Sequence, residues 1–224
     1  MAKKTNSSAI YQDLIKNVKG KKGSIAFSLA GVDLVVKNKD TVGKTLQEWL
    51  KIYLKSQDYF FEEPENTQTF PDFFLSEDKT ENLLEIKSFN YSKSPAFDIA
   101  NFNSYCNKIM NDPYCLYADY LIFGYEMEDE VISIEDIWLK KVWEIAGTSE
   151  RFPLKTQFKN GFIENIRPNT TFKKNEKSGF LDEKSFLKAL FLTICMYKGK
   201  SIAEDWKNNF CENYENHYDK SIEF

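Results

Sequence analysis

The chain has 224 residues, enough for one domain of ordinary size, and 42% of them are hydrophobic, so a sizeable core is available. Its formal net charge of −4 argues weakly against a nucleic-acid partner. The single histidine, His217, excludes multi-histidine zinc sites, and a lone histidine in an acidic tail is more often a surface residue than the histidine of a triad or of a histidine-dependent nuclease. Any catalysis is therefore expected to rest on carboxylates, lysine and a metal ion.

The charges are segregated along the sequence. Residues 112–136 hold eight acids and no base, whereas residues 139–177 hold nine bases and four acids. Such segregation can build one basic face on an acidic protein, although a solvated surface explains each block taken alone. The four cysteines have no metal-ligand spacing, no apolar run approaches the roughly 20 residues that span a bilayer, and no apolar signal region follows the basic amino terminus. The expectation is a cytoplasmic protein with reduced thiols and no membrane segment.

Three elements are predicted in the first part of the chain. Apolar residues at helical spacing predict a helix over 7–18, and alternating residues around a turn predict a hairpin over 24–36. A longer apolar stripe predicts a helix over 42–56. Glu48 falls on the polar face of that helix, where periodicity alone favours an ordinary surface acid.

The stretch 70–87 is typical of two short strands joined by a turn. Asp72 stands at the start of the first strand, and the second strand ends in Glu85, Ile86 and Lys87. Because side chains alternate across a strand, Glu85 and Lys87 project from one face, on either side of a buried Ile86. A hairpin brings Asp72 to the same place.

Two carboxylates and a lysine in one place suit the hydrolysis of a phosphodiester. That reaction requires a nucleophilic water, a counter-charge for the transition state and help for the leaving oxygen, and a divalent metal supplies the first two. Mg²⁺ keeps several waters, so one or two carboxylates suffice. Asp72 and Glu85 fit as its ligands, with the Ile86 carbonyl as a third oxygen, and Lys87 fits as the group that orients the attacking water. Either half of the pattern alone is more often a turn or an edge strand with a surface ion pair, but together they predict the active site of a DNA-cutting enzyme.

The remaining elements complete a single α/β domain over residues 1–224. They are, in order, a polar loop over 88–96, a helix over 98–110, strands over 119–125 and 131–134, a hairpin over 155–166 that turns at Asn160-Gly161, and a long helix from Asp182 or Ser185 to near Gly199. Residues 138–143 fit either a short helix or an extended stretch, and the tail is predicted to be partly helical.

The residues around the proposed site resemble a known family. Pro71-Asp72 with Glu85-Ile86-Lys87 matches the PD-(D/E)XK nuclease signature. The resemblance continues through the segments 85–91, 94–102, 119–125, 137–145 and 165–168. Over roughly residues 42–195 the chain resembles type II restriction endonucleases, in particular those that cut the interrupted palindrome GGNNCC.

This resemblance implies a central mixed β-sheet flanked by helices, with a restriction endonuclease-like catalytic core over about 42–145. It implies Mg²⁺ as the cofactor, and a homodimer that cuts both strands of double-stranded DNA. It also implies that Asp72, Glu85 and Lys87 carry catalysis. Many members add an acid from the helix before the first strand, and Glu48 stands where that acid belongs, which makes it a fourth candidate.

Contacts to DNA have to come from other side chains. Phosphate contacts set the register on the duplex, and base-edge contacts from Arg, Lys, Asn and Gln set the specificity. The loop beside the site, Asn101 near the start of the next helix and the basic segment 139–177 supply the candidates, of which Arg167 stands out because the chain has only two arginines. The candidates are Ser88, Asn90, Tyr91, Lys93, Ser94, Asn101, Lys140, Lys141, Lys155, Gln157, Lys159, Asn165, Arg167, Asn169, Lys173 and Lys174. For any single lysine, a solvated surface charge is the simpler expectation.

Two other functions stay open from the sequence. One is a repair or recombination nuclease of the same superfamily, which cuts by DNA structure rather than by sequence. The other is a catalytically silent DNA-binding module, against which the retained pair of acids and the lysine argue.

Overall fold

The computed structural model describes residues 3, 5–66, 69–174 and 179–224, and the chain divides into two compact units. The first unit comprises 1–95 and 119–139, and the second comprises 96–118 and 140–224. The chain passes between them at 95/96, 118/119 and 139/140, so neither unit is one continuous stretch of sequence. No helix in the described parts of the chain is long and apolar enough to cross a membrane.

Ten strands and six α-helices make up these units within the described ranges. The strands are β1 (Lys22–Gly23), β2 (Ala26–Leu29), β3 (Val32–Val35), β4 (Phe73–Phe74), β5 (Leu83–Asn90), β6 (Ala100–Asn101), β7 (Asp119–Glu128), β8 (Val131–Lys141), β9 (Thr156–Lys159) and β10 (Phe162–Ile166). The helices are α1 (Ser7–Asn17), α2 (Val42–Ser56), α3 (Phe102–Asn111), α4 (Val142–Ile145), α5 (Glu183–Lys198) and α6 (Lys200–Tyr218).

The first unit is built on a five-stranded mixed sheet in the order β1-β8-β7-β5-β4. Its centre is the parallel pair β5 and β7, in register from Leu84 opposite Asp119 to Asn90 opposite Tyr125. β4 joins the far side of β5 as a short antiparallel strand. The predicted mixed sheet flanked by helices is therefore confirmed.

Helices α1 and α2 contribute to the hydrophobic core of this sheet. The apolar stripe of α2 is buried at every turn, with Leu46, Leu50 and Leu54 at 9%, 0% and 0% exposure. It packs in one cluster with Ile86 of β5 and Phe123 of β7. This packing holds one face of β5 in the core. The alternate side chains of the strand, including Glu85 and Lys87, therefore project from the opposite face.

Within the described residues, the second unit combines the four helices α3 to α6 with a small sheet in the order β6-β10-β9. α6 buries Trp206, Phe210 and Tyr214 along one face, and the indole N–H of Trp206 donates to the carbonyl oxygen of Cys106 in α3 at 2.9 Å. The turn of the hairpin β9–β10 at Asn160-Gly161 has positive φ at both residues, as the sequence predicts.

Three sequence predictions differ from the structure. The loop predicted over 88–96 is wrong at its start, because Ser88, Phe89 and Asn90 continue β5 in parallel pairing with β7. The helix predicted from 98 begins only at Phe102, after β6 has paired with β10. β8 extends to Lys141 rather than ending at 134, and the undecided residues 138–143 divide between this strand and α4.

Candidate active site

Strands β4 and β5 bring Asp72 and Glu85 together. Asp72 immediately precedes β4, and the pairing of Phe73 with Leu84 sets Asp72 beside Glu85. The backbone N–H of Asp72 donates to Oε2 of Glu85 at 3.1 Å, and the backbone N–H of Ile86 donates to Oδ2 of Asp72 at 2.7 Å. Reciprocal bonds to the backbone thus fix both carboxylates in place.

Lys87 completes the cluster from the same face of β5 as Glu85. Its Nζ donates to Oε1 of Glu85 at 2.8 Å, while the side chain of Ile86 between them belongs to the hydrophobic core. The predicted alternation is therefore correct. Two carboxylates and one ammonium leave an excess of one negative charge in a half-buried position.

Asp72 shows the effect of burial and, after it, of that excess charge. Burial, and next the charge of Glu85, raise the pKa of the Asp72 carboxyl from 3.8 to about 7. The Ile86 N–H, the Lys87 charge and a side-chain hydrogen bond act in the opposite direction without offsetting this rise. A cation placed between the two carboxylates would supply the charge that the protein itself lacks.

The donor chemistry fits a hard divalent cation with few protein ligands. Within the described ranges, no three or more histidine, cysteine or acidic side chains come together as a metal cage. Asp72, Glu85 and a backbone oxygen form a smaller set than such a cage. Mg²⁺ accepts such a set because it retains several of its own waters.

Helix α2 reaches the site through Gln47 rather than Glu48. The amide Nε2 of Gln47 donates to Oδ1 of Asp72 at 2.6 Å, whereas the Glu48 side chain is 60% exposed and pairs with Lys51 at 2.8 Å. The structure thus does not bring Glu48, nominated by resemblance, to the carboxylates. The helical periodicity of α2 contained the signal for Gln47. At about 100° per residue, Gln47 lies next to Leu54 at the edge of the buried stripe, whereas Glu48 lies on the opposite side of the helix.

Comparison with known proteins agrees with this geometry. A family model described as NgoBV restriction endonuclease matches residues 4–224. The chain belongs to this restriction endonuclease family. It is 42% identical to the type II restriction enzyme NlaIV of Neisseria lactamica over 205 residues, which are 89% of this chain and 84% of that protein. It is 39% identical to the type II restriction enzyme NgoBV of Neisseria gonorrhoeae over 142 residues, 62% of this chain and 81% of that protein.

A solved restriction endonuclease structure also matches the fold of this chain. A solved structure of NlaIV restriction endonuclease superposes with a TM-score of 0.91 at 38% identity, covering 99% of this chain and 93% of that one. The predicted enzyme class, a type II site-specific deoxyribonuclease, is confirmed by these relationships.

The DNA-contact candidates beside the catalytic strand differ in their surroundings. Ser88 and Asn90 are half-buried in β5, and the ring of Tyr91 stacks on Trp138 with its backbone N–H bonded to Tyr125. Lys93 and Ser94 follow on the exposed turn. Lys93 and Ser94 are thus the two exposed members of this group.

Several candidates in the second unit hold the fold together. The side chain of Asn101 caps α3 and donates to the Glu164 carbonyl, and Asn169 bonds to backbone groups on both sides of its turn. Lys141 and Lys155 donate to the carbonyl oxygens of Tyr117 and Pro168. These contacts give the four residues a structural role, whatever else they bind.

The other candidates in the basic segment are paired or exposed. Asn165 donates to Gln157, Lys140 pairs with Glu144, and Arg167 forms an ion pair with Asp98. Lys159 and Lys174 are exposed and Lys173 is half-buried. The end of the predicted basic segment, 175–177, lies outside the described residues.

Proposed function

We propose that this restriction endonuclease is a Mg²⁺-dependent enzyme that acts as a homodimer on double-stranded DNA in the cytoplasm. Asp72, Glu85 and Lys87 are its catalytic residues. The observation that carries the proposal is the hydrogen-bonded cluster of these three side chains at the junction of β4 and β5, with its excess negative charge.

Asp72 and Glu85 hold the metal, and the carbonyl oxygen of Ile86 is the third protein ligand. The N–H of Ile86 already faces Asp72, and the N–H and C=O of a strand residue project toward the same side, so its carbonyl oxygen is directed there too. When bound, Mg²⁺ supplies counter-charge for the transition state and lowers the pKa of a coordinated water.

Lys87 orients the attacking water and offsets the negative charge that develops on the phosphate. Its Nζ is held by Oε1 of Glu85 at 2.8 Å, so the ammonium, which has three N–H donors, stays next to the metal ligands. Gln47 keeps Oδ1 of Asp72 in a fixed orientation from the side of α2. A missing Lys87 ammonium is expected to reduce the cleavage rate by at least about 100-fold.

The DNA-reading residues are proposed among the exposed or ion-paired polar side chains. Lys93, Lys159 and Lys174 are exposed and suit phosphate contacts. Arg167 suits a base-edge contact, for which its ion pair with Asp98 has to open. The recognition sequence to test first is GGNNCC, because the chain resembles enzymes that cut this palindrome.

A plasmid digest with sequenced fragment ends tests this function. The purified chain and Mg²⁺ are expected to yield discrete fragments whose ends share one sequence, and Asp72→Ala, folded by circular dichroism, is expected to yield none. Random nicking or a preference for branched DNA would indicate a structure-specific nuclease instead. Intact plasmid after incubation with folded wild-type protein, across DNA of diverse sequence, contradicts the proposal.

Metal binding is tested apart from cleavage. Calorimetry with Ca²⁺ or paramagnetic resonance with Mn²⁺ should show binding to the wild type, and Asp72→Asn and Glu85→Gln should each weaken it at least about tenfold, since two carboxylates dominate the ligand set. Equal binding by all three proteins would place the metal elsewhere.

A further inference from the structure

The hairpin β2–β3 turns an apolar face to solvent. Phe27 pairs with Leu34 and Leu29 with Val32 across the two strands, so all four side chains lie on one face of the ribbon. They are 50%, 49%, 66% and 68% exposed. The opposite face carries the pairs Ala26–Val35 and Ser28–Asp33. Both faces are exposed apart from the half-buried Val35, and the face with Phe27, Leu29, Val32 and Leu34 is the more apolar of the two.

An uncovered ribbon of this kind requires a partner. β2 and β3 form a two-stranded sheet of their own and do not join the five-stranded sheet. An isolated two-stranded hairpin is at best marginally stable in water unless a third strand or a packed surface supports it. Contiguous exposed apolar surface of this extent on a soluble protein marks an interaction site.

The composition of the two hairpin strands favours a protein over DNA as that partner. The segment from Ala26 to Val35 contains no lysine or arginine and contains one acid, Asp33. Binding to duplex DNA rests on cationic side chains that neutralise phosphates. An apolar face without a base therefore suits another protein surface that is itself apolar.

We infer that the apolar face of β2–β3 is the surface through which two copies of this chain associate. The inference rests on the proposed function: the catalytic cluster of Asp72, Glu85 and Lys87 occurs once in the chain, so cutting both strands of a duplex together calls for a second copy. About a twofold axis the same face meets itself, which places Phe27, Leu29, Val32 and Leu34 of one copy against those of the other.

The area is of the required size. Each of these four side chains presents on the order of 100 Å² to solvent, so two facing hairpins supply about 800 Å², most of the roughly 1,000 Å² that a specific interface needs. The flanking backbone of the ribbon, which is exposed from Ala26 to Leu34, supplies the remainder.

Two variants, which each place a charged pair across the ribbon but on different faces, test the inference. Leu29→Lys with Val32→Asp sets an opposite-charge pair across the ribbon on the apolar face, and Ser28→Lys sets a lysine opposite Asp33 on the other face. Both preserve a favourable cross-strand pair, so the hairpin is expected to stay folded. Sedimentation of the full chain without metal or DNA measures the dimer over a range of protein concentrations.

The wild type and Ser28→Lys are expected to be dimeric with similar dissociation constants, and the double variant is expected to raise that constant by at least about 100-fold, because four apolar side chains per dimer are replaced by charged ones. A monomeric wild type, or a double variant as dimeric as Ser28→Lys, overturns the inference. Should the double variant unfold, hydrogen exchange at the β2 and β3 amides of the wild type decides instead: it must slow as the protein concentration rises, and concentration-independent exchange overturns the interface.

The outcome is separable from that of the proposed function. Site-specific cleavage with a dimer that is insensitive to the hairpin substitutions overturns this interface and leaves the function standing. A hairpin-dependent dimer that cuts no DNA supports the interface and contradicts the function.

Discussion

Asp72 is the residue whose acid–base chemistry the fold changes most. Its pKa rises to about 7 from an ordinary value of 3.8, chiefly by burial and then by the charge of Glu85. In the metal-free protein the folded state therefore holds this proton more tightly than the unfolded state does. The stability that the protonated carboxyl contributes is fully present below about pH 4 and is lost as the pH rises through about 7.

The variant Asp72→Asn removes this titration, so its stability relative to wild type should increase with pH. Between pH 5 and pH 8, without metal, we expect the difference in the free energy of unfolding to move by about 1–2 kcal/mol in favour of the variant, less than the full pKa shift because the site is partly solvated. Urea unfolding in the presence of a chelator measures it, with the exposed Asp33→Asn as control. A difference that is the same at both pH values would contradict the assigned environment of Asp72.

Gln47 is the residue of α2 that the structure favours over Glu48. Gln47→Ala removes the 2.6 Å hydrogen bond that orients Oδ1 of Asp72, and single-turnover cleavage should slow by about tenfold, since misplacement of this proposed metal ligand lowers the rate without abolishing the chemistry. Glu48→Gln, which disturbs only an exposed pair with Lys51, should remain within about twofold of wild type. The opposite ranking of the two variants would restore Glu48 as the fourth catalytic residue.

At the scale of elements, local patterns predicted those pieces that are stabilised locally. α2 and the hairpins were correctly placed because an apolar stripe or a turn motif specifies each of them within a few residues. Residues 88–90 were predicted as a loop because Ser88 and Asn90 are polar, whereas the strand is specified by pairing with β7, more than 30 residues further along the chain. In the same way β6 exists only through its pairing with β10, which is invisible near Ala100.

The residues of the candidate site also divide into those that local patterns predict and those that they do not. Strand alternation was enough to place Glu85 and Lys87 on one face, and the hairpin was enough to bring in Asp72. The contribution of Gln47 was missed because this residue belongs to no recognisable motif. Its position beside the buried stripe of α2 was the available signal. That the chain forms one domain stays a prediction.

Gly124 is an element-scale constraint on β7. It faces Phe89 of β5 in register, and a Cβ at this position would come within 2.9 Å of the rings of Trp138 and Tyr91. Gly124→Ala should therefore push these stacked rings apart and lower the free energy of unfolding by about 1–3 kcal/mol.

Chemical denaturation measures this loss, with Gly23→Ala as a matched control in β1, where an added Cβ meets nothing within 4 Å. Equal stabilities for the two alanine variants would show that the rings adjust without cost. Because β5 carries Glu85 and Lys87, a strained β7 is also expected to reduce cleavage.

At the scale of the whole molecule, the segregated charges of the sequence give its surfaces different roles. In the first unit the acids at the β7–β8 turn, among them Glu128, Asp129 and Glu130, line an open cleft of acidic character. The basic segment lies almost entirely in the second unit, from Lys140 onward. The net charge of −4 therefore averages over a basic segment, and the salt dependence of DNA binding tests whether the exposed lysines of that segment contact phosphate.

Substitutions of Lys159 and Lys155 distinguish a proposed phosphate contact from a structural lysine in the basic segment. Lys159 is exposed at the tip of β9–β10, so Lys159→Ala should weaken binding to every duplex and reduce the slope of log affinity against log salt by about one. The Nζ of Lys155 donates to the Pro168 carbonyl at 3.0 Å, so Lys155→Ala should instead lower thermal stability and leave the slope unchanged. Fluorescence anisotropy with a labelled duplex in chelator, at several salt concentrations, distinguishes the two. A cationic side chain that neutralises phosphate contributes to the salt slope wherever it lies. If the slope changed for Lys155→Ala and not for Lys159→Ala, the phosphate contact would therefore lie at the base of the hairpin.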